Sequence, residues 1–219
     1  MTSQKKQDEA KVLVVDDHPI VREGLVTLIN SAPDLVVCGE AGNGGEALEM
    51  AKSLSPDAAV IDISMVGMSG LDLVKELRAR KNDTPVVMLS VHDEKVYAER
   101  ALRAGAQGYV MKKEARDSIV KAIREVLAGR IFVQDHVATR LISMLASDST
   151  RQAGDDPLAR LTNRELQILQ YMAADLATRD IAEELNLSIS TVQSHQANIK
   201  QKLEIRTVNE LAAFARSQV

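Results

Sequence analysis

Three acidic residues stand directly after two short apolar runs in the first third of the chain. Asp16 and Asp17 follow the run 12–15, and Asp62 follows the run 58–61. Runs of this length and composition predict buried strands of a parallel sheet, whose neighbouring strands end side by side. Three carboxylates gathered there repel one another and stay ionised only if a cation or ammonium joins them. The pattern therefore predicts a Mg²⁺ site, and Mg²⁺ on carboxylates commonly serves phosphate chemistry.

Short apolar runs alternate with amphipathic helical segments from residue 11 to about residue 130. The predicted strands cover residues 12–15, 35–38, 58–61, 86–89 and 107–111. The predicted helices cover 20–30, 45–54, 70–80, 94–104 and 115–128. Five such units predict an α/β fold, a five-stranded doubly wound parallel sheet with helices on both faces. Ligands bind these sheets outside the carboxyl ends of the strands, where the three acids stand.

The pattern changes after residue 130. A helical stretch over 136–146 is followed by a polar segment of small residues that ends at Pro157, so we assign 131–157 to a linker helix and a flexible linker. From Leu158 the chain is entirely helical in pattern. The predicted domains are therefore 9–130, an α/β domain, and 158–219, an all-α domain of four helices.

The four helices have recognisable limits. Thr162 followed by Glu165 forms a capping box that begins a helix ending near residue 174. The other three helices are predicted over 178–185, 189–203 and 208–217.

Composition excludes several classes of protein. No apolar run reaches the ~18 residues that a membrane span needs, and the polar N-terminus is not a signal peptide. The lone Cys38 cannot form an internal disulfide. These features predict a cytoplasmic protein with no membrane partner. The net charge of −4 does not by itself suggest nucleic acid as a partner.

Two further residues complete the acidic constellation. Ser90 ends the fourth apolar run and Lys112 ends the fifth, so both are expected at the edge that carries the acids. A hydroxyl and an ammonium beside a Mg²⁺ site are suited to bind the oxygens of a phosphoryl group. One carboxylate would then act as the nucleophile, as in aspartyl-phosphate enzymes, and the other two would hold the metal.

Residues 11–130 resemble the receiver domain of two-component response regulators. The resemblance rests on the segments 15–19, 61–63, 67–70, 88–90 and 108–112. It implies that a histidine kinase phosphorylates the chain in the presence of Mg²⁺. The implied roles are phospho-acceptor for Asp62, Mg²⁺ ligands for Asp16, Asp17, Asp62 and the backbone carbonyl of Ser64, switch residues for Ser90 and Tyr109, and phosphate partner for Lys112.

The resemblance is incomplete in the loop after Asp62. Val66 stands where the family usually has proline, and loss of a fixed φ angle there is expected to loosen the loop. Ser64 and His92 occupy positions that tune the lifetime of the phosphate in similar domains. Both also fit ordinary exposed loop residues, and the two interpretations stay open.

The segments 178–185 and 189–203, joined by the turn 186–188, predict a helix-turn-helix. The second helix contains two lysines and no acid, and Ser188 can cap it. This region resembles the LuxR-type output domain, so that nearly the whole chain resembles the NarL/FixJ class of regulators. The resemblance implies contacts with double-stranded DNA from Thr191, Gln193, Ser194, Ala197, Lys200 and Lys202.

Three departures from this second family are informative. Gln193 stands where lysine is favoured, Asp175 where glycine is favoured and Val208 where arginine is common. Gln193 could pair with an adenine, which contributes roughly 1–3 kcal/mol of discrimination. Fewer basic groups predict weak binding by a monomer and a strong dependence on dimerisation.

These observations predict a transcription regulator, not an enzyme. Phosphorylation of Asp62 is expected to draw in Lys112 and Ser90, to turn Tyr109 inward and to favour a homodimer on two half-sites. One alternative is a Mg²⁺-dependent phosphohydrolase, which needs a general acid where Ser64 stands and leaves the helix-turn-helix unexplained. The other is a DNA-binding regulator with a vestigial, phosphate-independent receiver.

Overall fold

The computed structural model describes residues 9–91, 94–135, 137–139 and 157–218. The chain forms two compact units, which divide between Leu141 and Ile142. His92, most of the predicted helix 136–146 and the polar linker before Pro157 lie outside the described residues. Among the described helices, none combines the length and apolar character needed to cross a membrane.

The first unit contains the predicted five-stranded parallel sheet, with strand order β2-β1-β3-β4-β5. The order reverses between β1 and β3, which pair with Val15 opposite Ile61. The residues that follow these two strands are therefore neighbours, and a crevice for a ligand is expected there. The strands are β1 (Ala10–Val15), β2 (Leu35–Ala41), β3 (Ala58–Asp62), β4 (Val86–Ser90) and β5 (Gly108–Met111).

Five helices connect and cover the strands, and local sequence sets where they begin. Asn43 caps α2 by accepting the backbone N–H of Glu46 at 3.0 Å, and Ser69 caps α3 by accepting that of Asp72 at 3.2 Å. The helices are α1 (Pro19–Asn30), α2 (Gly44–Leu54), α3 (Gly70–Ala79), α4 (Glu94–Ala104) and α5 (Ala115–Leu127).

The core of the first unit is aliphatic, as the low aromatic content requires. Strands β1, β3 and β4 present buried side chains to both faces of the sheet, which is typical of parallel sheets covered by helices. On the face covered by α1 and α5, the core is built from Val12, Val14, Leu25, Ile29, Val60, Val87, Leu89, Ile119, Ile123 and Val126.

The outer edge of β5 is occupied by the chain that follows α5. The Tyr109 N–H donates to the Phe132 carbonyl at 2.8 Å, and the Phe132 N–H donates to the Gln107 carbonyl at 2.9 Å. Phe132 also packs against the core, with the Lys121 ammonium 5.8 Å from its ring centre. The start of the segment assigned to the linker is thus paired with the sheet.

The described residues of the second unit contain the four predicted helices, preceded by a short 3₁₀ turn over Pro157–Arg160. The Thr162 and Glu165 capping box is present. Its core is again aliphatic and includes Leu166, Leu169, Ile181, Val192, Ile199 and Leu211. The helices are α6 (Asn163–Ala173), α7 (Thr178–Glu184), α8 (Ile189–Leu203) and α9 (Val208–Gln218).

Gly70 begins α3 against the backbone of β3, and this contact provides a test of the fold. A Cβ atom at Gly70 would lie 2.0 Å from the backbone carbonyl oxygen of Asp62. We expect Gly70→Ala to lower the free energy of unfolding by about 3 kcal/mol, because the strand or the helix must move.

The matched control is Gly67→Ala in the same loop. Gly67 has φ +78° and open space around it, so only the left-handed backbone penalises a side chain, by about 1 kcal/mol. Urea denaturation of both variants measures the difference. Equal losses of stability would contradict the close approach at Gly70.

Candidate functional site

Three of the predicted site residues form one buried, charged cluster. Asp16 and Asp62 are 0% and 1% exposed at the ends of β1 and β3. Lys112, which follows β5, places its Nζ 2.8 Å from Asp16 Oδ2 and 2.9 Å from Asp62 Oδ2. One ammonium thus bridges two buried carboxylates, an arrangement that leaves the cluster with excess negative charge.

Burial and charge shift the pKa values of this cluster. Burial raises the pKa of Asp62 to about 6; Lys112 acts against that shift, Asp16 adds to it, and the Ser64 backbone weakly favours ionisation. Burial alone would lower the pKa of Lys112, but the attraction of Asp62 and Asp16 outweighs it and raises that pKa. Lys112 is therefore a fixed cation, and Asp62 is a carboxylate of unusually high basicity.

Asp17 lies on the more exposed side of the cluster and is held by two groups. Its Oδ2 accepts the backbone N–H of Val66 at 2.9 Å, and its Oδ1 lies 2.7 Å from Nδ1 of His18. Val66 lacks the fixed φ angle of proline, which is expected to loosen this loop, but its hydrogen bond to Asp17 acts against that effect. Proline at position 66 would have no N–H to donate. The departure from the family pattern thus gives Asp17 an anchor.

The cluster fits a divalent cation. One ligand atom from each of Asp16, Asp17, His18 and Asp62 lies within 4.8 Å of the others. Oδ1 of Asp62 is buried and accepts no hydrogen bond of ordinary geometry from the described part of the chain. A buried carboxylate oxygen without a donor is costly, and a hard cation such as Mg²⁺, which prefers oxygen ligands, would remove that cost.

The predicted switch residues lie on the two strands beside β3. Ser90 is fully buried at the carboxyl end of β4, and Tyr109 in β5 is 1% exposed. Ser64 is half-buried, two residues beyond Asp62. The side chain of Tyr109 is buried in this structure, and its response to phosphorylation stays a prediction.

The second predicted site lies on α8. Gln193, Ser194 and Ala197 form an exposed stripe along this helix. Val192 and Ile199, on its opposite side, are 0% exposed and pack into the core. Thr191 and Lys200 are half-exposed at the margins of the stripe. The helix thus buries one face and presents to solvent the residues that the family resemblance assigns to DNA.

Polar contacts that the sequence did not reveal hold α7 against both α8 and α6. Gln196, only 5% exposed, donates from Nε2 to Thr178 Oγ1 at 3.3 Å. The guanidinium of Arg164 donates to the Leu185 carbonyl at the end of α7, at 3.0 Å. Buried polar residues at helical spacing were the available signal, but their partners are 18 and 21 residues away in sequence.

Lys202 differs from Lys200, the other predicted DNA-binding lysine, because it forms an ion pair with a buried carboxylate. Its Nζ lies 2.6 Å from Oε2 of Glu165, a residue only 3% exposed. The same oxygen accepts the Thr162 N–H of the capping box at 2.7 Å. A DNA phosphate would have to compete with Glu165 for the ammonium of Lys202. In this structure Lys202 holds α8 against α6.

The two other departures from the family pattern are Asp175 and Val208. Asp175 has φ +59°, a left-handed conformation that glycine adopts freely and aspartate tolerates better than most residues. Its carboxylate lies 2.6 Å from Nη1 of Arg216. Val208 is 44% exposed at the start of α9.

Comparison with known proteins identifies a family for each of the two domains. Residues 12–124 match the model of the response regulator receiver domain, and residues 159–215 match that of the bacterial regulatory proteins of the luxR family. The nitrate/nitrite response regulator protein NarL of Escherichia coli strain K12 is 32% identical over 212 residues, 97% of each chain.

Two further relatives extend the comparison. The transcriptional regulatory protein LiaR of Bacillus subtilis strain 168 is 35% identical, with 94% of this chain and 96% of LiaR covered. The signal receiver domain of the putative response regulator NarL from Mycobacterium tuberculosis is 38% identical, with a TM-score of 0.54, and covers 56% of this chain and 99% of that domain. The chain belongs to the response regulators that join a receiver domain to a LuxR-type domain.

Within this family, the predicted α/β receiver fold followed by an all-α helix-turn-helix domain is confirmed. The function of the class, transcription regulation that depends on phosphorylation, agrees with the prediction from the sequence. The charged cluster of the receiver and the exposed stripe of α8 are the two places where the chemistry of such a regulator is expected.

The raised pKa of Asp62 yields a prediction about stability. The folded protein holds the Asp62 proton more tightly than the unfolded chain, so ionisation between pH 3.8 and about 6 lowers stability. We expect Asp62→Asn to raise the free energy of unfolding at pH 7.5, without divalent cations, by up to about 3 kcal/mol.

The control is Asp83→Asn, which removes an exposed acid outside the cluster and is expected to change stability by less than about 0.5 kcal/mol. Thermal denaturation with and without Mg²⁺ measures both variants. Mg²⁺ should stabilise wild type more than Asp62→Asn. A variant less stable than wild type in the absence of Mg²⁺ would contradict the stated origin of the shift.

The Lys202–Glu165 pair yields a second prediction. Burial acts to raise the pKa of Glu165, but the attraction of Lys202 and the hydrogen bonds from Thr162 together outweigh it, so the pKa is lowered. The pair therefore stabilises the folded state above the usual pKa of glutamate and loses this effect as the pH falls through the folded pKa.

We expect Lys202→Met to cost about 2 kcal/mol at pH 7, discounted because Lys202 is 35% exposed. Lys200→Met, on the same helix, should leave stability within about 0.5 kcal/mol and reduce the salt dependence of DNA binding by about one phosphate contact. The reverse pattern, a stable Lys202→Met and an unstable Lys200→Met, would exchange the two roles.

Proposed function

We propose that Asp62 accepts a phosphoryl group from a histidine kinase and that the modified protein regulates transcription as a DNA-bound dimer. The observation that carries the proposal is the state of Asp62. It is buried, it is bridged by Lys112 to Asp16, and its Oδ1 accepts no ordinary hydrogen bond within the described residues. A basic carboxylate with an available oxygen beside a fixed cation is suited to act as a nucleophile.

In the proposed reaction an oxygen of Asp62 attacks the phosphorus of a phosphohistidine. A P–O bond to Asp62 forms while the P–N bond breaks, and the electron pair of that bond stays on the imidazole of the donor. Asp16, Asp17, Asp62 and the backbone carbonyl of Ser64 would hold Mg²⁺, which supplies neutralising charge to the phosphoryl oxygens. Lys112 supplies a second, fixed positive charge from the protein itself.

Phosphorylation changes the partners available to Lys112 and Ser90. A phosphoryl group brings about two negative charges and three acceptor oxygens to the end of β3. Lys112 already contacts Asp62, so we infer that its ammonium is redistributed between Asp16 and the phosphoryl oxygens and not drawn in from a distance. Ser90, buried at the end of the adjacent strand, would supply a hydroxyl donor, and Tyr109 is buried on the next strand, β5.

The energetic requirement on this switch can be stated. To invert a 1:99 balance of inactive and active states, phosphorylation must favour the active state by about 10⁴-fold, or roughly 5.5 kcal/mol. A few charge-assisted hydrogen bonds to phosphoryl oxygens, at roughly 1.5–3 kcal/mol each, are sufficient. The assignment of 9–130, 131–157 and 158–219 to receiver, linker and output domain is part of the proposal.

For the output domain, we propose that α8 enters the major groove with Gln193, Ser194 and Ala197 toward the bases. Thr191 and Lys200 would contact phosphates, and Lys202 would do so only after leaving Glu165. One domain with so few free cations binds DNA weakly, so two domains on half-sites about one helical turn apart are required. This function places the protein in the cytoplasm.

DNA binding measured with and without acetyl phosphate tests the proposal. Mobility shifts are recorded on promoter fragments with wild type, Asp62→Ala and the exposed-acid control Asp83→Ala. We expect acetyl phosphate with Mg²⁺ to tighten binding at least tenfold for wild type and the control, with no change for Asp62→Ala, because only that variant lacks the nucleophile.

Other outcomes identify the alternatives. Equal affinity in all samples would mean a regulator that is independent of phosphate, with a vestigial receiver. Rapid turnover of a free phosphoester that depends on Asp62 would favour a phosphohydrolase.

A further inference from the structure

His18 contacts the acidic cluster in a way that neither helix capping nor core packing requires. Its Nδ1 lies 2.7 Å from Oδ1 of Asp17 and 3.3 Å from Oδ1 of Asp16. His18 is the N-cap residue of α1, yet its side chain makes no capping hydrogen bond. The imidazole is 63% exposed, so an ion arriving from solvent can reach it.

The backbone holds His18 in this position. Its N–H donates to Oδ1 of Asp16 at 2.8 Å, and Pro19 restricts it to the extended conformation observed, with φ −92° and ψ +109°. Arg22 donates to the Asp16 carbonyl at 2.7 Å, which fixes the same turn from α1. The imidazole therefore starts from a fixed attachment beside the carboxylates.

The other contacts of the cluster leave one oxygen of Asp17 and one of Asp62 for a cation, while Oδ1 of Asp16 also accepts the His18 N–H. Lys112 occupies Oδ2 of Asp16 and Asp62, and the Val66 N–H occupies Oδ2 of Asp17. Oδ1 of Asp62 is buried without an ordinary hydrogen bond from the described residues. The Oδ1 atoms of Asp16 and Asp17 are those that lie near the imidazole.

The separations of these atoms match a shared ion. Two ligand atoms on adjacent corners of an octahedron, each about 2.1 Å from the metal, are about 3.0 Å apart. The distances of 2.7 and 3.3 Å from His18 Nδ1 to the two carboxylate oxygens lie on either side of that value. An imidazole nitrogen with three carboxylates is a mixed donor set, which Mg²⁺ does not require and which first-row transition metals favour.

We propose that His18 is a ligand of the cation site and gives it a preference for first-row divalent transition metals over Mg²⁺. The inference rests on the proposed cation site of the receiver but not on phosphorylation or DNA binding. As a consequence, a divalent metal of the Mn²⁺ to Zn²⁺ series would fill the cation site at concentrations at which Mg²⁺ fills it only partly.

Calorimetric titration of the full-length protein with Co²⁺ and, separately, with Mg²⁺ tests the proposal. In His18→Asn, an oxygen donor and a good N-cap residue replace the imidazole. We expect the Kd for Co²⁺ to rise about tenfold or more in this variant, while the Kd for Mg²⁺ changes less than about threefold. The control His195→Asn, which removes a histidine from the second unit, should change neither.

The outcomes separate this inference from the proposed function. The same ratio of Co²⁺ to Mg²⁺ affinity in His18→Asn and wild type would overturn the role of His18 while leaving the cation site intact. Failure of wild type to bind either ion would instead overturn the cation site itself. Asp17→Asn, which should weaken both ions, establishes that the measured binding occurs at this cluster.

Discussion

The fold of the receiver buries more negative than positive charge at one end of its sheet, and the properties of the site depend on this imbalance. The reversal of strand order between β1 and β3 brings Asp16 and Asp62 together in a place without solvent, and one ammonium from Lys112 bridges them. Asp17 adds a third carboxylate at the rim. Burial makes each unbalanced charge expensive, so the cluster gains free energy from any group that brings positive charge or spreads the negative charge. This charge imbalance is the physical basis for the cation binding and phosphoryl transfer that we propose for the site.

The second unit uses an ammonium and a buried carboxylate to opposite effect. Lys202 and Glu165 are matched one to one, and the carboxylate also accepts from the capping box. Because the two charges cancel, this pair acts as a structural contact that holds α8 against α6. The two lysines differ in their number of partners: Lys112 forms ion pairs with two buried carboxylates, whereas Lys202 forms one with a single carboxylate.

The sequence was sufficient to predict the sheet, the helices and the convergence of the acids, because strand ends follow from hydrophobic pattern and parallel pairing. Contacts that depend on the path of a loop could not be predicted from the sequence. The Val66 N–H that holds Asp17 has no side-chain signal, and the pairing of Phe132 with β5 comes from a segment with no strand pattern. The ion pair of Lys202, a residue that the family resemblance assigns to DNA, was also not predictable, since its partner Glu165 lies 37 residues earlier in the chain.

The most direct test of phosphorylation at Asp62 is the detection of the phosphoryl group itself. Full-length protein is incubated with acetyl phosphate and Mg²⁺, its intact mass is measured, and borohydride reduction followed by peptide mapping locates the modified carboxyl. We expect one phosphoryl group per chain, on Asp62, and none when the divalent cation is chelated. An unmodified protein in the presence of Mg²⁺, or a phosphoryl group on any other residue, would contradict this expectation.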